Sequence, residues 1–134
     1  MPDRIELNPE WPWAKKFRIS QGVQVGNRVY VSGQVAFDPQ GNIVGGNDMA
    51  AQARQVFENL RTVLALAGAT MDDVVKITTF LTDMSRFADY AAARAEAFPN
   101  NIPASTGVST PALVIPELLV EVEAVAEIGS GTRT

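Results

Sequence analysis

Residues 118–128 read LLVEVEAVAEI, a run in which every second side chain is apolar. This period of two is typical of a β-strand whose two faces meet different surroundings. The apolar row, which we expect to lie beneath helices, consists of Leu118, Val120, Val122, Ala124, Ala126 and Ile128. The opposite row carries Glu121, Glu123 and Glu127. These carboxylates form either an ordinary solvated sheet face or part of a site, and the pattern alone leaves both interpretations open.

Two amphipathic helices are predicted upstream of this strand. Residues 49–67 place apolar side chains at three- and four-residue intervals, which is the stripe of a helix that lies on a sheet. We expect Asn47 or Asp48 to cap its first turn and Gly68 to end it. A second helix is predicted to begin with Ser85 as its cap and to stop at Pro99.

The remaining strands complete the fold class. Residues 22–25 and 28–31 flank Gly26-Asn27, two residues that tolerate the positive φ of a tight hairpin turn. Residues 74–81 and 104–109 predict two further strands. The element order predicts an α+β fold in which two helices cover one face of a mixed β-sheet.

The chain has 134 residues, the length of one domain, and we expect residues 1–134 to form it. Residues 1–16 show no regular period and predict an N-terminal arm. Within it, we expect Trp11-Pro-Trp13 to pack across the edge of a neighbouring subunit, with binding of another partner as the alternative.

The strand over residues 74–81 has two largely apolar faces, one of which carries Val75, Ile77, Thr79 and Leu81. A sheet that is covered by helices on one side and still apolar on the other usually meets another subunit. We therefore expect oligomerisation through the open sheet face.

Composition narrows the possible chemistry and partners. The chain has no histidine and no cysteine, which excludes a Ser-His-Asp triad, a cysteine nucleophile, disulfides and a metal held by imidazole or thiolate. We expect no metal site. The net charge of −4, with a single basic cluster at Lys15, Lys16 and Arg18, makes nucleic acid an improbable partner. No apolar run approaches the roughly 20 residues that span a bilayer, so we expect no membrane contact and a cytoplasmic protein.

A second candidate site is the run Ser105-Thr106-Gly107, which could present hydroxyl and backbone N–H groups to a ligand. The alternative is that these residues bond to their own backbone at the start of a strand. Neither interpretation names a reaction.

Several blocks of sequence, in the correct order, resemble one known family. They are residues 25–34 (VGNRVYVSGQ), 51–60 (AQARQVFENL), 67–76 (AGATMDDVVK), 80–84 (FLTDM), 119–126 (LVEVEAVA) and the pair Pro103-Ala104. The chain resembles the RidA/YjgF family of reactive-intermediate deaminases, also labelled L-PSP endoribonucleases. The resemblance implies a chorismate-mutase-like α+β subunit. It also implies a homotrimer whose sheets face a central barrel, with small-molecule clefts between subunits.

The resemblance also implies which residues line the cleft. Active members use a glutamate on the last strand to position the attacking water, and this glutamate corresponds to Glu121. The substrate-binding positions correspond to Ile19, Ser32, Gly33, Gln34, Ser105, Thr106 and Gly107. Ser105 stands where active members have an arginine that binds the substrate carboxylate, and Ile19 stands where many have a tyrosine.

The implied activity is hydrolysis of enamine or imine intermediates to release ammonia, without a cofactor. Because Ser105 supplies no cation, we expect little activity towards 2-aminoacrylate. A substrate without an α-carboxylate, or one held by another cation such as Arg18, remains compatible with Glu121. The alternative function is a non-catalytic small-ligand-binding or regulatory trimer. An endoribonuclease is disfavoured, because the chain has no histidine and no clear basic cleft.

Overall fold

The computed structural model describes residues 3–131, so residues 1, 2 and 132–134 of the expected domain lie outside it. Besides three single 3₁₀ turns, six strands and two α-helices are present in the described range. They are β1 (Arg4–Leu7), β2 (Gly22–Val25), β3 (Arg28–Gln34), α1 (Met49–Ala65), β4 (Val74–Leu81), α2 (Phe87–Ala97), β5 (Ala104–Ser109) and β6 (Val120–Glu127). No helix in this part of the chain is long and apolar enough to cross a membrane.

The strands form one mixed sheet in the order β1-β2-β3-β6-β4-β5. Strands β4 and β5 are parallel, whereas the other neighbouring pairs are antiparallel. The last strand of the chain, β6, therefore lies inside the sheet between β3 and β4. The predicted α+β fold is confirmed.

The core lies between the sheet and the helices. The apolar row of β6 is buried from Leu118 to Ala126, as the alternation predicts. Helix α1 packs on β3 and β6 and against α2. The side chains that α1 buries include Met49, Ala53, Val56, Phe57, Leu60, Val63 and Leu64. The predicted amphipathic stripe is thus the buried face of α1.

The ends of α1 agree with the sequence, and the start of α2 does not. The Asp48 side chain accepts a hydrogen bond from the Ala51 N–H at the start of α1, and Gly68 has a φ of 73° beyond its end. Ser85 was expected to cap the second helix. Instead the Asp83 carboxylate accepts from the Ser85 N–H at 3.0 Å, and a single 3₁₀ turn precedes α2. Aspartate and serine are both good N-caps, so composition alone could not choose between them.

The N-terminal arm is more ordered than its sequence suggests. Strand β1 lies within residues 1–16 and pairs with β2 at the sheet edge. Trp11 is buried and stacks on Trp13 with ring centroids 5.6 Å apart, and Trp13 meets Phe37 edge-on at 4.9 Å. Both tryptophans thus find aromatic partners within the same chain, and their packing across a neighbouring subunit stays a prediction.

A β-bulge in β4 changes one predicted burial. Val74 pairs with Ala126 and Lys76 with Val125, so Val75 has no partner of its own in the ladder. An extra residue in one strand shifts the alternation by one position. Val74 is therefore buried, and Val75, which the sequence placed beside Ile77, is 43% exposed.

A buried glutamine connects α1 to the start of β6. The Gln52 amide donates to the carbonyl oxygens of Gly46 and Glu117 at 2.7 and 2.9 Å, and its oxygen accepts from the Leu119 N–H at 2.9 Å. Gln52 is fully buried, so no solvent is available to replace these bonds. These contacts hold the chain that leads into β6.

We expect Gln52→Ala to destabilise the fold by about 2–4 kcal/mol. The substitution leaves the buried carbonyl groups of Gly46 and Glu117 and the N–H of Leu119 without this hydrogen-bond partner, and their desolvation is then uncompensated. Chemical denaturation measures this change in the free energy of unfolding. Gln40→Ala, at an exposed loop position, is the matched control and should leave stability unchanged. Equal stabilities for the two variants would contradict the role assigned to Gln52.

Candidate functional site

Glu121 stands on the sheet face that the helices do not cover. It lies between the buried residues Val120 and Val122 on β6, so its side chain projects to the opposite face. Its ladder neighbour on β4 is Phe80, and the next residue across, on β5, is Val108. The Glu121 side chain is thus flanked by apolar neighbours on that side of the sheet.

On its other side, Glu121 meets a β-bulge in β3. Val31 pairs with Ala124 and Gln34 with Val122, so Ser32 and Gly33 together oppose the single residue Glu123. The absence of a side chain at Gly33 is what admits the Glu121 carboxylate. A Cβ at Gly33 would lie 2.1 Å from Glu121 Oε2, far inside van der Waals contact.

The same bulge holds the chain segment around Ile19. The Ser32 hydroxyl donates to the Ser20 carbonyl oxygen at 2.7 Å, and the Ser32 N–H donates to the Gln21 carbonyl oxygen at 2.8 Å. Gln34 is buried, and its amide donates to Gln21 Oε1 at 2.9 Å. Ser32 and Gln34 therefore position the segment, and Ile19 on that segment remains 57% exposed.

These residues share a cavity of about 410 Å³. Its wall consists of Trp13, Phe17, Ile19, Gln21, Ser32, Gly33, Gln34, Val35, Phe37, Val114, Glu121 and Glu123. The wall contains no lysine or arginine, and its two acidic residues stand among aromatic and aliphatic side chains. The indole N–H of Trp13 is buried and has no hydrogen-bond partner among the described residues. The structure thus brings together Glu121, Ser32, Gly33, Gln34 and Ile19 of the predicted site.

The electrostatic state of Glu121 follows from this environment. Burial raises the pKa of the Glu121 carboxyl above its ordinary value, and the nearby charge of Glu123 raises it further. Within residues 3–131, no hydrogen bond or ion pair to Glu121 offsets this effect. A carboxylate that is partly desolvated and unpaired binds a proton more readily than a solvated one, which suits it to accept a proton.

The Ser105-Thr106-Gly107 run does not reach this cavity within one chain. Strand β4 separates β5 from β6. Thr106 pairs with Thr78 and accepts a hydrogen bond from Lys76 Nζ at 2.9 Å. The three residues do not share a face, because side chains on a strand alternate between faces.

Ser105 and Gly107 belong to the face beneath α2. Their β4 neighbours are the buried residues Ile77 and Thr79. Ser105 Oγ lies 3.3 Å from Nη1 of Arg94 on α2. Together with Arg94, Ser105 lines a second cavity of about 460 Å³. Arg94 was not among the residues predicted from the sequence. The signal that could have identified it is a basic residue on α2, the helix that precedes Ser105 in the chain.

Arg18, the cation suggested from the sequence, lies elsewhere. It lines a third cavity, of about 500 Å³, with residues of the N-terminal arm such as Glu10 and Trp11. Ile19 is the residue that this cavity shares with the Glu121 cavity. No group of three or more acidic side chains in the described chain could hold a metal ion.

Comparison with known proteins agrees with the fold. The family described as "Endoribonuclease L-PSP" matches residues 14–128. A RutC family protein of Pyrococcus horikoshii is 40% identical over 108 residues, which cover 80% of this chain and 84% of the relative. Among solved structures, RidA of the Antarctic bacterium Psychrobacter superposes with a TM-score of 0.84 and 36% identity, covering 92% of this chain and 99% of that one.

A second solved structure, YyfA of Yersinia pestis, described as a protein of unknown function of the Rid family, gives a TM-score of 0.86. It is 31% identical, and the alignment covers 94% of this chain and all of that one. These matches extend over the strands that build the Glu121 cavity as well as over both helices. The chain belongs to the RidA/YjgF family, also described as endoribonuclease L-PSP.

Proposed function

We propose that this protein hydrolyses enamine or imine intermediates and that Glu121 positions the attacking water. The observation that carries the proposal is the Glu121 carboxylate itself, which lies over Gly33, lacks a partner in the described chain and has a raised pKa. A structural carboxylate would be paired or fully solvated. Family membership supports the same role.

In the proposed reaction, Glu121 accepts a proton from water while the water oxygen bonds to the imine carbon, and it passes this proton to the nitrogen to give a carbinolamine. Glu121 then takes the proton of the carbinolamine hydroxyl and delivers it to the nitrogen as the C–N bond breaks. The products are a carbonyl compound and ammonia, and Glu121 is left as the carboxylate. An enamine enters the same path after protonation at carbon gives the iminium ion. This sequence needs a proton carrier and a dry cavity but no metal or redox cofactor.

We further propose that the active assembly is a homotrimer that buries the open sheet face. Exposed apolar side chains on the sheet support this arrangement, including Tyr30 at 45%, Val75 at 43% and Val108 at 38% exposure. Apolar side chains gathered on one sheet face are typical of an interface. In such an assembly, the edge strand β5 of one subunit, which carries Ser105, lies against the Glu121 cavity of the next.

A non-catalytic ligand-binding trimer is the alternative. The unpaired indole N–H of Trp13 in the cavity wall is compatible with ligand binding with or without turnover. RNA cleavage has less support, because no lysine or arginine lines the Glu121 cavity to neutralise a phosphate.

We expect light scattering to report a mass of three chains at micromolar concentration. Tyr30→Glu should shift the protein towards monomers, since it places a charge on the buried face of the trimer. The control is Leu66→Glu, at a residue beyond the end of α1 that is 50% exposed. A monomeric wild-type protein would contradict the proposed assembly.

We expect Glu121→Gln to lower the rate of ammonia release by about 10²-fold or more, the usual contribution of a general base. The assay uses enamines generated enzymatically, both with and without an α-carboxylate. Glu123→Gln is the matched control. Glu123 lines the same cavity but is exposed and does not lie over Gly33, so this variant should retain most of the activity. Full activity of Glu121→Gln would exclude the proposed mechanism.

We expect Glu121→Gln to fold normally. A raised pKa means that the folded protein disfavours the charged carboxylate, so protonation of Glu121 stabilises the fold, and this stabilisation is lost as pH rises through the folded-state pKa. At neutral pH, Glu121→Gln should therefore melt at the wild-type temperature or above it. A lower melting temperature would indicate that Glu121 has a structural role.

We expect Gly33→Ala to reduce ammonia release nearly as far as Glu121→Gln, because the new Cβ displaces the Glu121 carboxylate. The atoms that must move are Oε2, Cδ and Cγ of Glu121, all in one flexible side chain, so the melting temperature should change little. A double-mutant cycle provides the control: in the Glu121→Gln background, Gly33→Ala should have almost no further effect on the rate. Additive losses would show that Gly33 acts independently of Glu121.

A further inference from the structure

Arg94 on α2 is a cation held in place by its neighbours. Its guanidinium carbon lies 5.5 Å from the centroid of the Phe87 ring and 5.4 Å from that of Tyr90. Nη1 also lies 3.3 Å from Ser105 Oγ on the adjacent strand β5. Tyr90 is itself fixed, since it is fully buried and its hydroxyl hydrogen-bonds to Thr79. The guanidinium is therefore oriented before any ligand arrives.

The charge of Arg94 has no acidic partner in the described part of the chain. The arginines that form ion pairs there are Arg4, Arg28, Arg54 and Arg61. Glu96, two residues further along α2, is paired with Arg54 at 3.1 Å. Stacking on aromatic rings leaves the edge of a guanidinium open to an anion. Arg94 uses one N–H group, on Nη1, to bond to Ser105 Oγ, and a guanidinium has five such groups.

The space beside Arg94 can hold a small organic ligand. The cavity of about 460 Å³ has the guanidinium and the Ser105 hydroxyl as its polar groups and Phe98, Pro99 and Ile102 among its apolar walls. A few polar groups among apolar walls are typical of a site for a small molecule. The side chain of Ser105 is short, which keeps this space open.

We propose that Arg94, assisted by the Ser105 hydroxyl, binds the carboxylate of the ligand. The guanidinium offers two parallel N–H groups, the geometry that a carboxylate accepts, and Ser105 offers a third donor. The ligand class is thus a small monocarboxylic acid with an apolar body. Its use as a hydrolysed enamine or imine acid rests on the proposed function, whereas carboxylate binding does not.

The residues that line the Arg94 cavity and the Glu121 cavity are complementary in charge. The Glu121 cavity contains carboxylates and no basic residue, and the Arg94 cavity contains a cation and no acidic residue. Within one chain, β4 separates the two. Because β5 is an edge strand, a neighbouring subunit that meets this edge with its Glu121 cavity would place the ligand carboxylate on Arg94 and the C=N carbon near Glu121.

The test is titration of the full-length protein with benzoate and with benzamide, its neutral analogue, by calorimetry at low salt. We expect the wild type to bind benzoate at millimolar concentration or tighter and to bind benzamide at least tenfold more weakly. Arg94→Gln should weaken benzoate binding about tenfold or more. Arg94→Lys keeps the charge but not the paired N–H groups of the guanidinium, so its affinity for benzoate should lie between those of the wild type and Arg94→Gln. Arg61→Gln is the control: it removes the same charge from an exposed, ion-paired position on α1 and should bind as the wild type does.

Three results would overturn the inference: equal affinity of the wild type for benzoate and benzamide, no benzoate binding at all, or unchanged binding by Arg94→Gln. Melting temperature and scattering mass, measured on each variant, confirm that the assembly is intact. Glu121→Gln should still bind benzoate, because the anion is held by the other cavity. If benzoate binds through Arg94 and no enamine is hydrolysed, the proposed activity fails and this inference stands. If enamines are hydrolysed and benzoate does not bind through Arg94, the proposed activity stands and this inference fails.

Discussion

The strict alternation of β6 is the constraint on which the rest of the structure depends. Its apolar row, from Leu118 to Ala126, is buried under α1, and a slip of one residue would bury Glu121 and Glu123 in the core instead. The free energy of burying that row fixes the register against β3 and β4 at the same time. The position of the candidate proton acceptor on the open face is therefore a consequence of core packing.

Register alone would leave Glu121 as one of several carboxylates on a sheet. The bulge in β3 distinguishes Glu121 from the other carboxylates. Two residues of β3, Ser32 and Gly33, lie opposite the single residue Glu123 of β6, and Gly33 then lies against the Glu121 carboxylate. The same bulge directs the Ser32 hydroxyl to the backbone of Ser20, which brings the N-terminal segment over the cavity. Local irregularity in an otherwise regular sheet thus creates both the close approach of Glu121 to Gly33 and the partial burial that raises its pKa.

Much of the fold could be predicted from the sequence, because it depends on periodicity. The stripe of α1, the capping by Asp48 and the row from Leu118 to Ala126 are all repeating patterns or local rules. The sequence could not reveal features that depend on a single inserted or neighbouring residue. The bulge at Val75, the choice of Asp83 over Ser85 and the strand in the N-terminal arm are of this kind.

The same distinction applies to the candidate site. Family resemblance located Glu121, Ser32, Gly33 and Gln34, which the structure places around one cavity. It treated the residues at Ser105, Thr106 and Gly107 as one unit, although strand alternation directs Thr106 away from the other two. The sequence suggested Arg18 as a substitute for the arginine missing from position 105, whereas the cation beside Ser105 is Arg94 on α2, a contact that no spacing in sequence predicts.

Placing the cation on a helix has a physical consequence for recognition. A guanidinium on an exposed edge strand loses side-chain entropy when it binds a ligand, because nothing else orders it. Arg94 lies between two aromatic rings and a hydroxyl, so much of that ordering precedes binding. The anion would then be held nearer to α2 than to the strand, and the room left by Ser105 accepts an acid with a larger apolar body. Under the proposed function, a helix arginine in place of a strand arginine would keep the positive charge beside the ligand carboxylate and would change the shape of the acid that fits.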